Sequence, residues 1–387
     1  MPTILTADAL FDGARLIHDP IITLDDGRIA SISSSAESTL PADSHVLDFS
    51  GATLAPAFLD IHIHGAAGHD VMESTPEALS TMGRFLASRG TGSFLATTVT
   101  APLDATLRSL EGLAKLIAHP QLNGTARPLG IHLEGPFLSH SKRGVHPPEY
   151  LLEPSIAIFD KLYDASDGHV RLMTLAPELP GAAELTAHAT QRGVRISVGH
   201  SNATSAETYA AISAGATSAT HTFNAMRPLD HREPGILGAV LTDDSVYAEL
   251  ICDGIHSTPE MARLWWRAKG PERAVLVTDA MSAAGMPDGE YQLGGFAVNV
   301  ANGRAMREGV LAGSVLTLDR ALANCIQFTG ATVDQGLRLL TANPSALIGV
   351  DDQAGSVAVG RAANLVAVSS TGKLLETILN GDPISQR

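Results

Sequence analysis

Two histidines separated by one residue, His62 and His64, close an apolar run that starts at Ala55 and is followed by Gly65. In an extended strand, residues two apart point to the same face, so the two imidazoles are predicted to lie side by side at a strand end. Two neutral imidazoles directed at one point are a starting set for a divalent transition-metal site. Alone, the pair is weak evidence, because polar residues commonly close a strand.

Other predicted strands end in further metal-binding or titratable side chains, namely Glu134, His200, His221 and Asp279. Each of them alone has a plain structural explanation as a solvated or hydrogen-bonded residue. Together with His62 and His64 they predict a hydrolytic metal site, because imidazole and carboxylate ligands leave one position for water. A metal lowers the pKa of such a water to about 7.

Residue type suggests a role for each member of this set. Glu134 has two carboxylate oxygens, which suit it to bind one ion or to bridge two. Asp279 suits a general base that takes a proton from water and later returns it to a leaving amine. His132 lies two residues before Glu134, and we interpret it as an interior histidine rather than a ligand.

The segments around these residues alternate between strand-like and helical patterns. Eight strands alternating with helices are the signature of an α/β fold of the (β/α)8 TIM-like barrel type, whose active site lies at the carboxyl ends of the strands. The strands are predicted at residues 57–64, 93–99, 128–134, 171–176, 195–200, 216–221, 247–252 and 274–279.

Both ends of the chain carry short alternating patterns with turn signals. We therefore predict a small β-sandwich domain built from residues 1–54 and 351–387, beside a barrel of residues 55–350. Residues 287–312 interrupt the barrel pattern. They are predicted to form a β-hairpin insertion after the last strand, where the active-site loops of a barrel lie.

Composition restricts the partners of the chain. Its 387 residues include 26 Lys plus Arg against 41 Asp plus Glu, a formal net charge of −15, without a basic run. Nucleic acid and anionic membranes are poor partners for such a surface. The sequence has only two cysteines, and we find in it no signal-peptide pattern and no uncharged stretch of transmembrane length. These features predict a cytoplasmic enzyme.

Nine motifs occur at residues 56–65, 132–137, 142–146, 199–201, 221–226, 232–235, 253–256, 278–280 and 311–314. In content and order they resemble the N-acetylglucosamine-6-phosphate deacetylase family of the amidohydrolase superfamily, over nearly the full chain. The pairing of His-Leu-Glu-Gly-Pro with His-Thr-Phe-Asn-Ala-Met is specific. Glu134 takes the place of the carboxylated lysine that other amidohydrolases use as metal bridge.

The resemblance implies metal-dependent hydrolysis of the acetamido group of N-acetylglucosamine 6-phosphate in amino-sugar catabolism. It implies a principal metal site at Glu134, His200 and His221, with Asp279 as catalytic base and acid. His62 and His64 make a second ion possible, so one or two divalent ions are expected per chain, zinc first, with iron, manganese or cobalt as alternatives.

The same resemblance assigns substrate contacts to Val145, His146, Asn224, Ala225, Arg232 and His256. His146 is expected near the acetamido group. Arg232 is expected to meet the phosphate, in its own cavity or in that of a neighbouring subunit, because family members form homodimers. A bidentate guanidinium suits a phosphate.

Three alternatives stay open from sequence. An enzyme for N-acetylgalactosamine 6-phosphate would differ in one hydroxyl contact. Another amide hydrolase on the scaffold, such as a dihydroorotase-like enzyme, is disfavoured by the missing lysine bridge. A non-catalytic relative kept as a binding protein is disfavoured because all six candidate ligands and acids are present.

Overall fold

The computed structural model of the chain describes residues 3–36, 44–119 and 124–384. The ends of the predicted β-domain at residues 1–2 and 385–387, and its segment 37–43, lie outside the described residues. Strands occur at β1 (Thr3–Phe11), β2 (Leu16–His18), β3 (Pro20–Asp25), β4 (Arg28–Ser34), β5 (His45–Pro56), β6 (Phe58–Ile63), β7 (Gly65–Ala66), β8 (His69–Asp70), β9 (Thr91–Thr98), β10 (Arg127–Glu134), β11 (Val170–Leu175), β12 (Arg195–Val198), β13 (Ala216–Ala219), β14 (Tyr247–Ile251), β15 (Ala274–Val277), β16 (Gly289–Leu293), β17 (Phe296–Ala301), β18 (Arg304–Arg307), β19 (Val310–Leu311), β20 (Leu365–Val368), β21 (Leu374–Leu379) and β22 (Asp382–Pro383). Helices occur at α1 (Pro76–Ala87), α2 (Leu103–Ala118), α3 (Ile156–Ala165), α4 (Ala182–Gln191), α5 (Ser205–Ala214), α6 (Gly235–Thr242), α7 (Pro259–Arg273), α8 (Leu318–Thr329), α9 (Val333–Arg338) and α10 (Ala342–Ile348).

Eight parallel strands form the barrel, in the order β6, β9, β10, β11, β12, β13, β14 and β15. Its ends approach where a parallel bridge joins Ile63 to Ala280 and the Asp279 N–H donates to the His62 carbonyl at 2.9 Å. The barrel strands are buried along nearly their whole length, as expected for strands covered by helices. The predicted barrel fold is confirmed.

The helices between the strands cover the barrel with apolar faces. Helix α1 begins after Thr75, whose hydroxyl accepts a hydrogen bond from the Ala78 N–H, and Pro76 takes its first position. Its buried residues Leu79 and Met82 pack into the barrel core. Among the described residues, no helix combines the length and apolar character that a bilayer crossing requires.

Strands from both chain ends build one separate eight-stranded sheet, as the fold prediction expects. Strand β1 pairs in parallel with β5, and β5 pairs antiparallel with β20 from the far end of the chain. Strand β5 ends at Pro56, two residues before β6 begins at Phe58. The sheet therefore anchors the strand that carries His62, while the exact domain boundaries stay a prediction.

A four-stranded antiparallel sheet, β16 to β19, lies within the predicted insertion at residues 287–312. Its strands pair in chain order, and Leu293, Val298 and Val300 form a small core with Met281. The sheet follows β15 directly. It therefore stands at the carboxyl end of the barrel, beside Asp279.

Candidate active site

The six predicted metal-binding and acidic residues meet at the carboxyl end of the barrel. All six are buried, and each stands at or just after the end of a strand: His62, His64, Glu134, His200, His221 and Asp279. Three of them, His200, His221 and Asp279, have positive φ angles of 46°, 28° and 50°. Non-glycine residues held in this region are uncommon and cluster at functional sites.

The first group joins Glu134, His200 and His221. The Glu134 Oε1 lies 3.2 Å from Nε2 of each histidine, and the two Nε2 atoms lie 3.1 Å apart. A tetrahedral ion with bonds of about 2.0–2.1 Å keeps its ligands about 3.3 Å apart. These three atoms therefore have the mutual spacing of ligands around one small divalent ion.

The second group joins His62, His64 and Asp279. The Asp279 Oδ1 lies 3.1 Å from His64 Nε2 and 3.5 Å from His62 Nε2. Glu134 stands between the two groups, because its Oε1 is 3.4 Å from His62 Nε2 and its Oε2 is 3.2 Å from His64 Nε2. One carboxylate thus contacts members of both groups.

Main-chain acceptors fix the orientation of two of these rings. Nδ1 of His64 lies 3.1 Å from the Thr97 carbonyl oxygen, and Nδ1 of His200 lies 2.9 Å from the Lys142 carbonyl oxygen. A carbonyl only accepts, so Nδ1 carries the hydrogen and a neutral ring directs its Nε2 lone pair at the carboxylates. Lone pairs and carboxylate oxygens repel unless a cation lies between them, so these residues fit a metal.

Neighbouring charges in the site shift the pKa values of its histidines and carboxylates. Burial would lower the pKa of His62, but the charges of Glu134 and Asp279 raise it well above its usual value. Burial would raise the pKa of Asp279, but the charge of His62 and the hydrogen bond from His64 hold it below its usual range. The site is therefore built to keep positive charge between ionised carboxylates.

A cavity of about 480 Å³ opens above the two groups. Five of the six predicted substrate contacts line it: Val145, His146, Asn224, Ala225 and His256. The sixth, Arg232, does not line the cavity and is exposed on the loop between β13 and α6. Val99, Leu293 and Val310 give the wall its apolar part.

Two cavity histidines have their rings fixed by neighbours. The Nδ1 of His146 accepts the Thr100 N–H at 3.3 Å, so its Nε2 carries the hydrogen and faces Glu134 Oε2 at 3.4 Å. Burial lowers the pKa of His146 to about 4, so the ring is neutral at pH 7. Nδ1 of His256 lies 2.7 Å from Asp253 Oδ2, and its Nε2 has no hydrogen-bond partner among the residues that the structure describes.

Sequence reasoning missed three residues of the site. Lys142 lines the cavity as an additional cation. Asp60 accepts the Thr278 hydroxyl at 2.6 Å and thereby ties β6 to the turn that presents Asp279, and burial raises the pKa of Asp60 to about 7. Glu249 is fully buried beneath His62. A charged residue inside an apolar strand was the available signal for Asp60 and Glu249.

The contacts of His132 agree with the interpretation of this residue as an interior histidine. Its Nε2 lies 2.8 Å from the Thr174 hydroxyl and its Nδ1 lies 3.4 Å from the Thr97 hydroxyl. Burial holds its pKa well below the usual value. The ring is thus satisfied inside the barrel, below the residues that face the cavity.

Gly294→Ala is expected to raise KM about fivefold, because overpacking a packed wall costs about 1 kcal/mol or more. Gly294 has a φ of +55°, and its added Cβ would collide with the Val99 side chain, pushing Leu293 out of the cavity wall. Steady-state kinetics measure this. Gly295→Ala is the control, since its φ of +90° imposes the same left-handed strain but its Cβ would enter open space. Equal KM values for the two variants would refute this role for the insertion.

Comparisons with known proteins agree with this geometry. The amidohydrolase family model matches residues 53–384. The N-acetylgalactosamine-6-phosphate deacetylase of Escherichia coli O157:H7 is 40% identical over 96% of both chains. The N-acetylglucosamine-6-phosphate deacetylase of Bacillus subtilis (strain 168) is 37% identical, over 95% of this chain and 93% of that one.

Solved structures of the same enzymes are similar to this chain over nearly its full length. A mutant N-acetyl-D-glucosamine-6-phosphate deacetylase from Mycobacterium smegmatis, in complex with N-acetyl-D-glucosamine-6-phosphate, superposes with a TM-score of 0.92 at 33% identity and 99% coverage of both chains. The enzyme from Thermotoga maritima superposes with a TM-score of 0.85 at 33% identity, over 97% of this chain and 98% of that one. The chain belongs to the amidohydrolase family, in the branch of the N-acetylglucosamine-6-phosphate deacetylases and their near relatives.

Proposed function

We propose that the chain hydrolyses the acetamido group of N-acetylglucosamine 6-phosphate to give glucosamine 6-phosphate and acetate, as a cytoplasmic enzyme of amino-sugar catabolism. The observation that carries this proposal is the convergence of Glu134, His200 and His221 with Asp279 at the floor of one cavity. Relatives named N-acetylglucosamine-6-phosphate deacetylase align over nearly the whole chain, and a mutant of one was solved with this sugar phosphate bound.

Amidohydrolases depend on metal, and two groups of residues here are candidate ligand sets. We assign the principal ion to Glu134, His200 and His221, and a second ion to His62, His64 and Asp279, with zinc, iron, manganese and cobalt all compatible with these ligands. When bound, the metal supplies polarisation of the acetyl carbonyl and a more acidic water.

The chain's own groups then move the proton and hold the substrate. A carboxylate oxygen of Asp279 accepts a proton from the attacking water and passes it to the amine nitrogen as the carbon–nitrogen bond breaks. The released acetate keeps the oxygen of that water. The Nε2–H of His146 faces the same floor and is placed to orient the acetamido group.

The phosphate is assigned to the cationic and amide groups of the cavity. His256 is oriented by Asp253, Lys142 adds a positive charge, and Asn224 is fixed by donating to the His221 carbonyl at 3.2 Å. We propose that the exposed Arg232 serves the cavity of a second subunit in a homodimer. Lys142 and Arg232 thus place local positive charge for an anionic substrate on a chain whose net charge is −15.

N-acetylgalactosamine 6-phosphate is the second candidate substrate, since the relative from Escherichia coli O157:H7 at 40% identity carries that name. The test is acetate release from both epimers, measured with the purified metal-loaded chain. A higher kcat/KM for the gluco epimer supports the first proposal. Preference for the galacto epimer would replace it, and no acetate from either would reject both.

His256→Ala is expected to lower kcat/KM for the phosphorylated sugar by about 10- to 100-fold, the effect of losing one hydrogen bond to a charged group. Unphosphorylated N-acetylglucosamine is the control substrate, and its kcat/KM should change little. The ratio of the two values is the measurement. A parallel loss on both substrates would show that His256 does not bind the phosphate.

A further inference from the structure

One buried carboxylate outside both ligand groups contacts each of them. Glu249 lies in the middle of β14, among buried apolar residues, and is 0% exposed. Its Oε2 lies 3.3 Å from Nδ1 of His62 and accepts the His221 N–H at 3.2 Å. Its Oε1 has no hydrogen-bond partner in the part of the chain that the structure describes. Burying a carboxylate costs free energy unless hydrogen bonds compensate for it, so the contacts of Glu249 are expected to serve the fold or the site.

We propose that Glu249 is the positioning residue that commits His62 to metal binding and so makes the second ion site. This proposal rests on the proposed metal-dependent function. Oε2 faces His62 as an acceptor, which places the ring hydrogen on Nδ1 and the lone pair on Nε2. That Nε2 points at Asp279 and Glu134, at 3.5 and 3.4 Å.

Among the histidines of the two ligand groups, His62 differs from His64 and His200 in the kind of group that orients its ring. His64 and His200 are held by main-chain carbonyls, which no substitution removes. His62 is held by a side chain. Its commitment to the second ion therefore depends on the residue at position 249, and ligand-orienting partners of this kind are worth about 10- to 100-fold in metal affinity.

The same residue supports the turn that presents His221. Its carboxylate accepts the His221 N–H, and its carbonyl accepts the Thr222 N–H at 2.8 Å. His221 has a φ of 28°, so its backbone needs such support. Glu249 thus links a ligand of the principal ion to a ligand of the second one across two strands.

Two substitutions separate geometry from charge. Glu249→Gln removes the charge but keeps the length of the side chain. The His221 N–H can only donate, so it holds the amide oxygen at the Oε2 position, where that oxygen still accepts from His62 Nδ1. Glu249→Asp keeps the charge but is one methylene shorter, so it loses the contact with His62.

The experiment is a zinc titration of the metal-stripped full-length protein against a competing chelator, with circular dichroism to verify folding. Wild type and Glu249→Gln are expected to bind two ions per chain. Glu249→Asp is expected to bind the second ion about 10- to 100-fold more weakly. Three results would each overturn the proposal. The wild-type chain could bind only one ion, Glu249→Asp could bind the second ion with wild-type affinity, or both variants could lose the same affinity for it.

Failure here is distinguishable from failure of the proposed deacetylase activity, because counting zinc ions needs no substrate. A chain that binds two ions with the expected dependence on Glu249, but releases no acetate, would refute the activity and leave the positioning role intact.

Discussion

Asp279→Asn is expected to lower kcat for acetate release by about 100- to 10,000-fold, the usual contribution of a general acid and base. An amide has no basic oxygen able to take the proton from water, while its shape is nearly that of the carboxylate. The main chain at Asp279 is fixed independently, by donation to the His62 carbonyl and by the Ser314 N–H at 2.7 Å. The ion at Glu134, His200 and His221 is therefore expected to remain, and metal analysis of the variant measures it.

A loop aspartate provides the matched control for this substitution. Asp243→Asn changes a carboxylate that accepts the Ser245 N–H at 2.8 Å, away from the cavity, and should keep wild-type turnover. An Asp279→Asn variant that kept wild-type kcat would remove Asp279 from the mechanism. A variant that lost the principal ion together with turnover would show that Asp279 is needed to hold that ion, and the loss of turnover would then not identify it as the base.

Glu134→Gln is expected to abolish activity by emptying both ion sites. The Glu134 Oε1 faces His62, His200 and His221, and its Oε2 faces His64 and His146. Burial would raise the pKa of Glu134, but the charge of His62 and the hydrogen bonds from neighbouring histidines hold it well below the usual value. Glu134 is therefore ionised, and its replacement by glutamine removes a negative charge from between the histidines. Loss of a direct ligand should cost more than the 10- to 100-fold in affinity that an orienting partner costs.

The measurement for Glu134→Gln is the number of ions per chain after dialysis, by elemental analysis. Glu178→Gln is the control, because Glu178 accepts the Ser201 hydroxyl at 2.7 Å and the Asn202 N–H at 2.6 Å and has no imidazole partner within the described ranges. The control should keep the wild-type ion content. A Glu134→Gln chain that also kept it would show that the ions bind elsewhere.

The barrel and its ligands were predictable because both depend on local patterns. Apolar runs that end in His62, Glu134, His200 and Asp279 place those side chains at strand ends, and parallel strands in a barrel bring their carboxyl ends to one rim. Three predicted strands, 195–200, 216–221 and 274–279, run two residues too far. The structure ends them at Val198, Ala219 and Val277, because the residues two positions later turn into the left-handed region, namely His200, His221 and Asp279.

Contacts across the barrel could not be predicted from one sequence. The pairing of Glu249 with His62 and of Asp60 with Thr278 depends on register and on closure of the barrel, over 187 and 218 residues of separation. Hydrophobic periodicity is local and carries no such information. For the same reason the sequence could not show that Arg232 lies outside the cavity of its own chain.

The central claim is that these residues hold metal for amide hydrolysis, and one paired measurement tests it most directly. Ions per chain and acetate released from N-acetylglucosamine 6-phosphate are measured together, before chelation, after it and after return of one divalent ion. We expect acetate release to fall with the ion content and to recover with it. Unchanged acetate release from the fully stripped chain, or none from the fully loaded chain, would contradict the account.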